Sequence, residues 1–289
     1  MRDVETMLAL ITDVAETDER VRAVVLSGSR TNPGVSPDPF RDFDVVYVVT
    51  DVVLFVADPS WIDRFGERMI LQTPDAMGSP PSEEKGTFAY LMQFADGNRI
   101  DLALVPADQV GSRRFDSLSV PLLDKDGLLP PLAPPSDRDY LPEVPSAKAF
   151  EDCCNEFWWV CPYVAKGLWR SQVVYAKYCH DTFVRPQLTA VLTWYVGVHT
   201  GFSRNTGTFG KYLHRELEPN LRSLLLATYA DADEARNWDA LMATCTLFRL
   251  TATRVAQHFG FAYPHDDDRR VSAHLLHVRA LPKDASRIY

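Results

Sequence analysis

Apolar positions in the first half of the chain fall in short blocks or alternate, whereas in the second half they recur every three or four residues. The first pattern predicts strands and the second predicts amphipathic helices. Residues 4–16 have helical spacing, and residues 22–27 and 44–50 are short runs rich in β-branched side chains, which predict two strands. Asp58-Pro59 predicts a helix start, with Asp58 as N-cap and Pro59 in the first helical position. "TFAYLMQFADGNRIDLALV" predicts two more strands, joined at Asp96-Gly97-Asn98 by a hairpin turn. Residues 147–170, 173–199, 213–229 and 235–259 predict a helical bundle, with Pro162 expected to kink the first of its helices. The polar tail from Pro264 predicts a loose ending, to which "VSAHLLHVRAL" can add a short helix.

Between the halves lies "PPLAPPSDRDYLPEVP", in which neither continuous helix nor central strand is tenable. The expectation is two domains, residues 1–135 and 136–289, in an α+β chain. A length of 289 residues with 46% apolar content is enough for two real cores. The net charge of −9 argues against a nucleic-acid partner, since phosphate neutralisation needs clustered Lys and Arg, and it suits a cationic one. The five cysteines lack zinc spacing and predict reduced, buried thiols. No apolar run is long enough for a bilayer and no leader pattern opens the chain, so a cytoplasmic protein without a membrane partner is expected, with a monomer favoured.

Candidate chemistry centres on acids. Asp42 and Asp44 are two apart at the head of a predicted strand, so they project from one face with Phe43 behind them. Such a pair is costly unless a cation lies between its members, and paired hard oxygen ligands suit Mg²⁺, although a solvated strand entry reads the same way in isolation. Asp101 interrupts an apolar strand and points away from Ile100, Leu102 and Leu104. On a strand beside the first pair it would complete a site for one or two divalent ions. The turn "LSGSR" places Gly28 and Ser29 where a close backbone approach and amide donors can receive an anion.

The pattern of strand, Gly-Ser, spacer, Asp-x-Asp and a further acidic strand position resembles the polymerase-beta-like nucleotidyltransferase superfamily. "LSGSRTNP", "FRDFDVVYVVTDV", "RFGERMILQTPD", "DGNRIDLALVP", "LLDKDG", "FEDCCNEFWWVCPYVAKGLWR" and "VRPQL" resemble, more closely, its aminoglycoside 6-adenylyltransferases, also called streptomycin adenylyltransferases. The resemblance implies a nucleotidyltransferase domain followed by a helical domain that contributes to nucleotide and acceptor binding. It implies AMP transfer from Mg-ATP to the 6-hydroxyl of streptomycin, release of pyrophosphate, and antibiotic resistance. Gly28 and Ser29 would then hold the triphosphate, Arg30 would pair with a phosphate, Asp42 and Asp44 would bind magnesium, and Asp101 would be metal ligand or general base. Lys166 and Lys211 would reach the nucleotide from the helical half.

In that half Asp152, Glu156, Trp159, Tyr163 and Lys166 line one side of a helix, and the two acids with Trp159 are candidate contacts for a cationic drug. Glu83 is a further candidate, on a loop. The run 263–270 carries His265 and three aspartates, which cannot all face one ion from regular structure, so a solvated loop is expected. His180 beside Asp181 reads as a packed histidine. Competing readings are the same transfer onto another aminoglycoside, a lincosamide or a protein hydroxyl, or a non-catalytic nucleotide-binding module. An RNA-tailing transferase is disfavoured by the acidic balance.

Overall fold

All the strands lie in the first of two compact units: in the computed structural model, which describes residues 1–78 and 86–289, these are Met1–Asp139 and Tyr140–Tyr289. The first begins with helix α1 (Val4–Glu16), capped by Asp3, whose side chain accepts from the Thr6 N–H at 2.8 Å. Six strands follow: β1 (Val21–Ser27), β2 (Phe43–Val49), β3 (Arg68–Gln72), β4 (Phe88–Phe94), β5 (Arg99–Pro106) and β6 (Val120–Asp124). Helix α2 (Val52–Ala57), capped by Asp51, and a 3₁₀ segment at Pro59–Phe65, capped by Asp58, lie between β2 and β3.

The sheet order is β3-β4-β5-β2-β1-β6, antiparallel throughout except for the parallel pair β2–β5. β4 and β5 form the expected hairpin. One face carries Phe43, Tyr47, Tyr90 and Leu102 into a core with Met7 and Ile11 of α1 and with Phe55, Trp61 and Phe65. The other face packs Ala23, Val25, Val46, Val48 and Val105 against Val110. Both faces of β1 and β2 are therefore covered, which is why their burial does not alternate.

The second unit is built round α3 (Ala147–Trp169), capped by Ser146 and continuous through Pro162. It packs against α4 (Val173–Cys179), α5 (Arg185–Thr200), α8 (Glu234–Phe259) and α9 (His265–Ala280), and α6 (Leu213–Glu216) and α7 (Pro219–Ala227) precede α8. Phe157 of α3 stacks on Phe248 of α8 with ring centroids 3.6 Å apart. All five cysteines are free and buried. Among the described residues no helix is long and apolar enough to cross a membrane.

Three expectations need correction. The stretch 173–199 is interrupted by a π turn at His180–Val184, which brings His180 Nδ1 to 3.5 Å from the adjacent Asp181 while Nε2 meets Thr244 Oγ1 at 3.0 Å. The stretch 213–229 breaks before Pro219, which cannot donate to the preceding turn. The tail is no loose ending: Asp266, Asp267 and Asp268 occupy the first turn of the 16-residue helix α9, where acids offset the helix dipole. Asp268 is buried and receives both arms of Arg249 at 2.6 Å, with the Tyr263 hydroxyl at 2.8 Å.

Candidate active site

The parallel pairing of β2 with β5 sets Asp44 directly beside Asp101, and the antiparallel pairing of β1 sets Ser27 on its other side. In-register neighbours on adjacent strands are about 4.8 Å apart, so the two carboxylates share one patch of the sheet face. Asp42 precedes β2 with the same parity. The three acids stand at the end of the face that, further along, buries Val46, Val48 and Val105.

Crowding shows in the titration behaviour. Burial, then Asp101, then Asp42 push the Asp44 carboxyl up to about 6. Burial also raises Asp42, against the pull of Arg99. Arg99 stands two residues before Asp101 on β5 and therefore on its face. Its guanidinium forks onto Asp101 through Nε at 2.7 Å and Nη2 at 2.8 Å, and its Nε is 3.7 Å from Asp42.

Among the described residues no three His, Cys, Asp or Glu side chains converge as a ready-made metal cage. The donor chemistry nevertheless fits a hard divalent cation: three carboxylates on one face, two of them in register, with the Asp44 carboxyl raised by burial and by the charges of Asp101 and Asp42. Arg99 holds the place of a cation on Asp101.

The turn after β1 is shaped by Asp44. Gly28 has φ +76°, and a Cβ there would lie 2.0 Å from Asp44 Oδ2, so only glycine lets the turn and the carboxylate come this close. Thr31 Oγ1 donates to the Gly28 carbonyl at 3.0 Å, and Arg41 donates to the Ser29 carbonyl. Arg30, read from sequence as a phosphate partner, is committed to the loop: it stacks on Phe43 at 3.7 Å and donates to the carbonyls of Asp42 (3.1 Å) and Arg41. It fixes the backbone of the first carboxylate. Asp38 caps its own turn, accepting from the Phe40 N–H at 2.8 Å.

In the helical unit the stripe on α3 faces outward. Trp159 is 64% exposed, with its ring 6.4 Å from that of Tyr163. Asp152 pairs with Lys148 one turn earlier, and Glu156 is half-buried. Lys166 lies over the Tyr163 ring at 4.8 Å, and Lys211 over Tyr212 at 5.1 Å. Glu83 lies outside the described residues.

Residues 1–278 match the family model for streptomycin adenylyltransferase. The chain belongs to that family. This adenylyltransferase chain is similar to three curated aminoglycoside 6-adenylyltransferases. That of Campylobacter jejuni is 38% identical over 272 residues, covering 93% of both chains. That of Bacillus subtilis (strain 168) is 36% identical over 270 residues, 93% of this chain and 95% of its own. That of Staphylococcus aureus is 32% identical over 268 residues, 92% and 95%. The crystal structure of an aminoglycoside 6-adenyltransferase from Bacillus subtilis matches at 31% identity and a TM-score of 0.48 over 97% of this chain and 100% of that one. The family is the one that the sequence resemblance names, and the architecture is α+β, as expected from the sequence.

Two arginines of this candidate site were not singled out from sequence. Arg99 was legible by strand parity, since any residue two before Asp101 shares its face. Arg41 was not, because its contact with Ser29 depends on the path of the loop between β1 and β2.

Proposed function

We propose that this adenylyltransferase transfers AMP from Mg-ATP to the 6-hydroxyl of streptomycin, releasing pyrophosphate and so conferring resistance to the drug. The reading is carried by the registered carboxylate pair Asp44–Asp101 beside a glycine turn that a single Cβ would close. The drug oxygen attacks the α-phosphorus of ATP, the bond from that phosphorus to the bridging oxygen breaks, and pyrophosphate departs with that oxygen. Asp42, Asp44 and Asp101 would hold magnesium, which when bound neutralises the triphosphate. Asp101, when not a ligand, is the acceptor for the hydroxyl proton.

The turn at Gly28 and Ser29 receives phosphate oxygens on backbone amides, with the Ser29 hydroxyl beside them. Arg30 acts by holding the carbonyl of Asp42, which keeps the first carboxylate in place. Lys166 and Lys211 supply positive charge to the nucleotide from the helical unit, and Asp152, Glu156 and Trp159 meet the cationic acceptor. Catalysis of this type is largely positioning and electrostatics, which is what a crowded set of carboxylates on the central strands provides.

Mass spectrometry of streptomycin after incubation with ATP and Mg²⁺ tests the reading. A gain of one AMP unit, assigned by NMR to the 6-hydroxyl, supports it; a gain at another hydroxyl, or on kanamycin or spectinomycin alone, refutes the regiochemistry or the acceptor.

A further inference from the structure

The helical unit holds a groove between α3 and α9. On one wall α3 presents Asn155, Trp159 and Tyr163, each one turn after the last, so that they form a single stripe. On the other, the first turns of α9 present Asp267, Arg270 and Val271. The space between them is about 480 Å³. A second recess of about 470 Å³, bounded by Glu151, Asp152, Phe261 and Pro264, shares Asn155 and Asp267 with the first. The two recesses adjoin at those two side chains, and together they are called the trough. Each is of a size to take part of a drug-sized molecule.

The two ends differ in chemistry. One is walled by the exposed indole of Trp159 and by Tyr163, faces that attract a cation or a sugar ring. The other carries carboxylates. Of the charged residues lining the trough, Glu151, Asp152 and Asp267 are negative and only Arg270 is positive. Asp152 is paired with Lys148 and Arg270 stands 3.8 Å from Asp266. Among the described residues the side chains of Asp267 and Asn155 form no hydrogen bond or ion pair, and Glu151 feels the charge of Lys148. A net-negative trough repels a triphosphate and fits a polycation.

We propose that this trough seats the acceptor drug, with Asp267 and Asn155 at its waist gripping a guanidinium and Trp159 packing against the adjoining ring. The inference rests on the proposed adenylylation of streptomycin and adds to it residues on α9. A guanidinium forks onto a carboxylate through two parallel N–H bonds, and the amide oxygen of Asn155 offers a third acceptor. Asp267 is thereby a specificity residue rather than a structural one, in contrast to its buried neighbour Asp268.

The test is streptomycin binding to the full chain without ATP, followed by tryptophan fluorescence and by calorimetry, with the KM for drug and for ATP measured in parallel. A charge-assisted hydrogen bond is worth about 1.5–3 kcal/mol, so Asp267→Asn should weaken binding by about 10- to 100-fold. The KM for streptomycin should rise with it, and the KM for ATP should not move. Because Asp267 is exposed, its replacement should cost only its helix-dipole contribution of about 0.3–1 kcal/mol, a Tm loss of a few °C at most, and Asp267→Glu should recover part of the affinity. Trp159→Leu should weaken binding and reduce the fluorescence response. Wild-type affinity in Asp267→Asn, with streptomycin turned over normally by the wild type, overturns the trough and leaves the proposed function standing. A higher KM for ATP with an unchanged KM for drug reassigns the trough to the nucleotide and also overturns it. No turnover of streptomycin by the wild type removes the proposed function and the trough together.

Discussion

Gly28→Ala is the smallest change that reaches the carboxylates without removing one. The added carbon would lie 2.0 Å from Asp44 Oδ2 and 2.8 Å from its Cγ. An unstrained carbon-to-oxygen contact needs roughly 3.3 Å, so the carboxylate or the turn must retreat by roughly 1.3 Å. Asp44 has little room to do so, because its strand is fixed by Ser27 on one side and Asp101 on the other. A displacement of about 1 Å at a reacting centre can cost about 100-fold in rate, or about 2.7 kcal/mol of transition-state stabilisation. The φ of +76° adds backbone strain of about 1 kcal/mol for any residue with a Cβ, a Tm loss of roughly 2–4 °C. Gly97→Ala separates the two effects: its φ is +90°, yet nothing lies within 4 Å of the Cβ it would gain. Pyrophosphate release measured against streptomycin concentration should show kcat/KM down about 100-fold in Gly28→Ala and near wild type in Gly97→Ala, with similar small losses of Tm. Wild-type kcat/KM in a folded Gly28→Ala, or an equal loss in Gly97→Ala, would refute the argument from contact.

Three further outcomes follow from the same geometry. Asp44→Asn should reduce turnover by at least about 100-fold while leaving the metal-free Tm at pH 8 equal to or above wild type, because it relieves carboxylate repulsion. The Asp44 carboxyl is raised in the fold to about 6 from 3.8, so its contribution to metal-free stability is fully present below about 3.8 and is lost as pH rises through about 6. Thermal melts in EDTA across that range should show the loss in wild type and not in Asp44→Asn. Arg99→Met should tighten Mn²⁺ binding by about tenfold, read by electron paramagnetic resonance, and lower the Tm in EDTA, since the guanidinium now forked onto Asp101 must leave before that carboxylate can ligate; unchanged affinity would count against it. Asp268→Asn should cost about 1–3 kcal/mol of unfolding free energy in urea titrations, because Arg249, itself partly exposed, loses its anionic partner and keeps only Ser272. Burial pushes the Asp268 carboxyl up, but Arg249, Tyr263 and Ser272 more than reverse this and hold it below its usual range. Its stabilising share is therefore present above about 3.8 and is lost as pH falls through the lowered value.

The acids on and beside the central strands were legible because strand parity and the spacing of Asp42, Asp44 and Asp101 depend on backbone geometry alone. Their neighbours were legible only in part. Arg30 reads as a phosphate ligand from its place after Gly-Ser, yet the loop folds back so that its donors meet the carbonyls of Arg41 and Asp42. β3 and β6 escaped the sequence reading because neither alternates cleanly: β3 lies at the sheet edge with Met69, Ile70 and Leu71 all exposed, and β6 carries Pro121 and pairs with β1 through a register shift. The tail misled for a different reason. Three consecutive aspartates look like solvent-facing loop, but at the start of a helix they are favourable, and Asp268 is buried against an arginine nineteen residues away in sequence.

Adenylyl transfer to streptomycin at the registered carboxylates is tested most directly by pyrophosphate release from ATP and Mg²⁺ with and without the drug. The prediction is release that depends on streptomycin, saturates with it and disappears in Asp44→Asn. Release at the same rate without any acceptor, or undiminished release in Asp44→Asn, would contradict the claim.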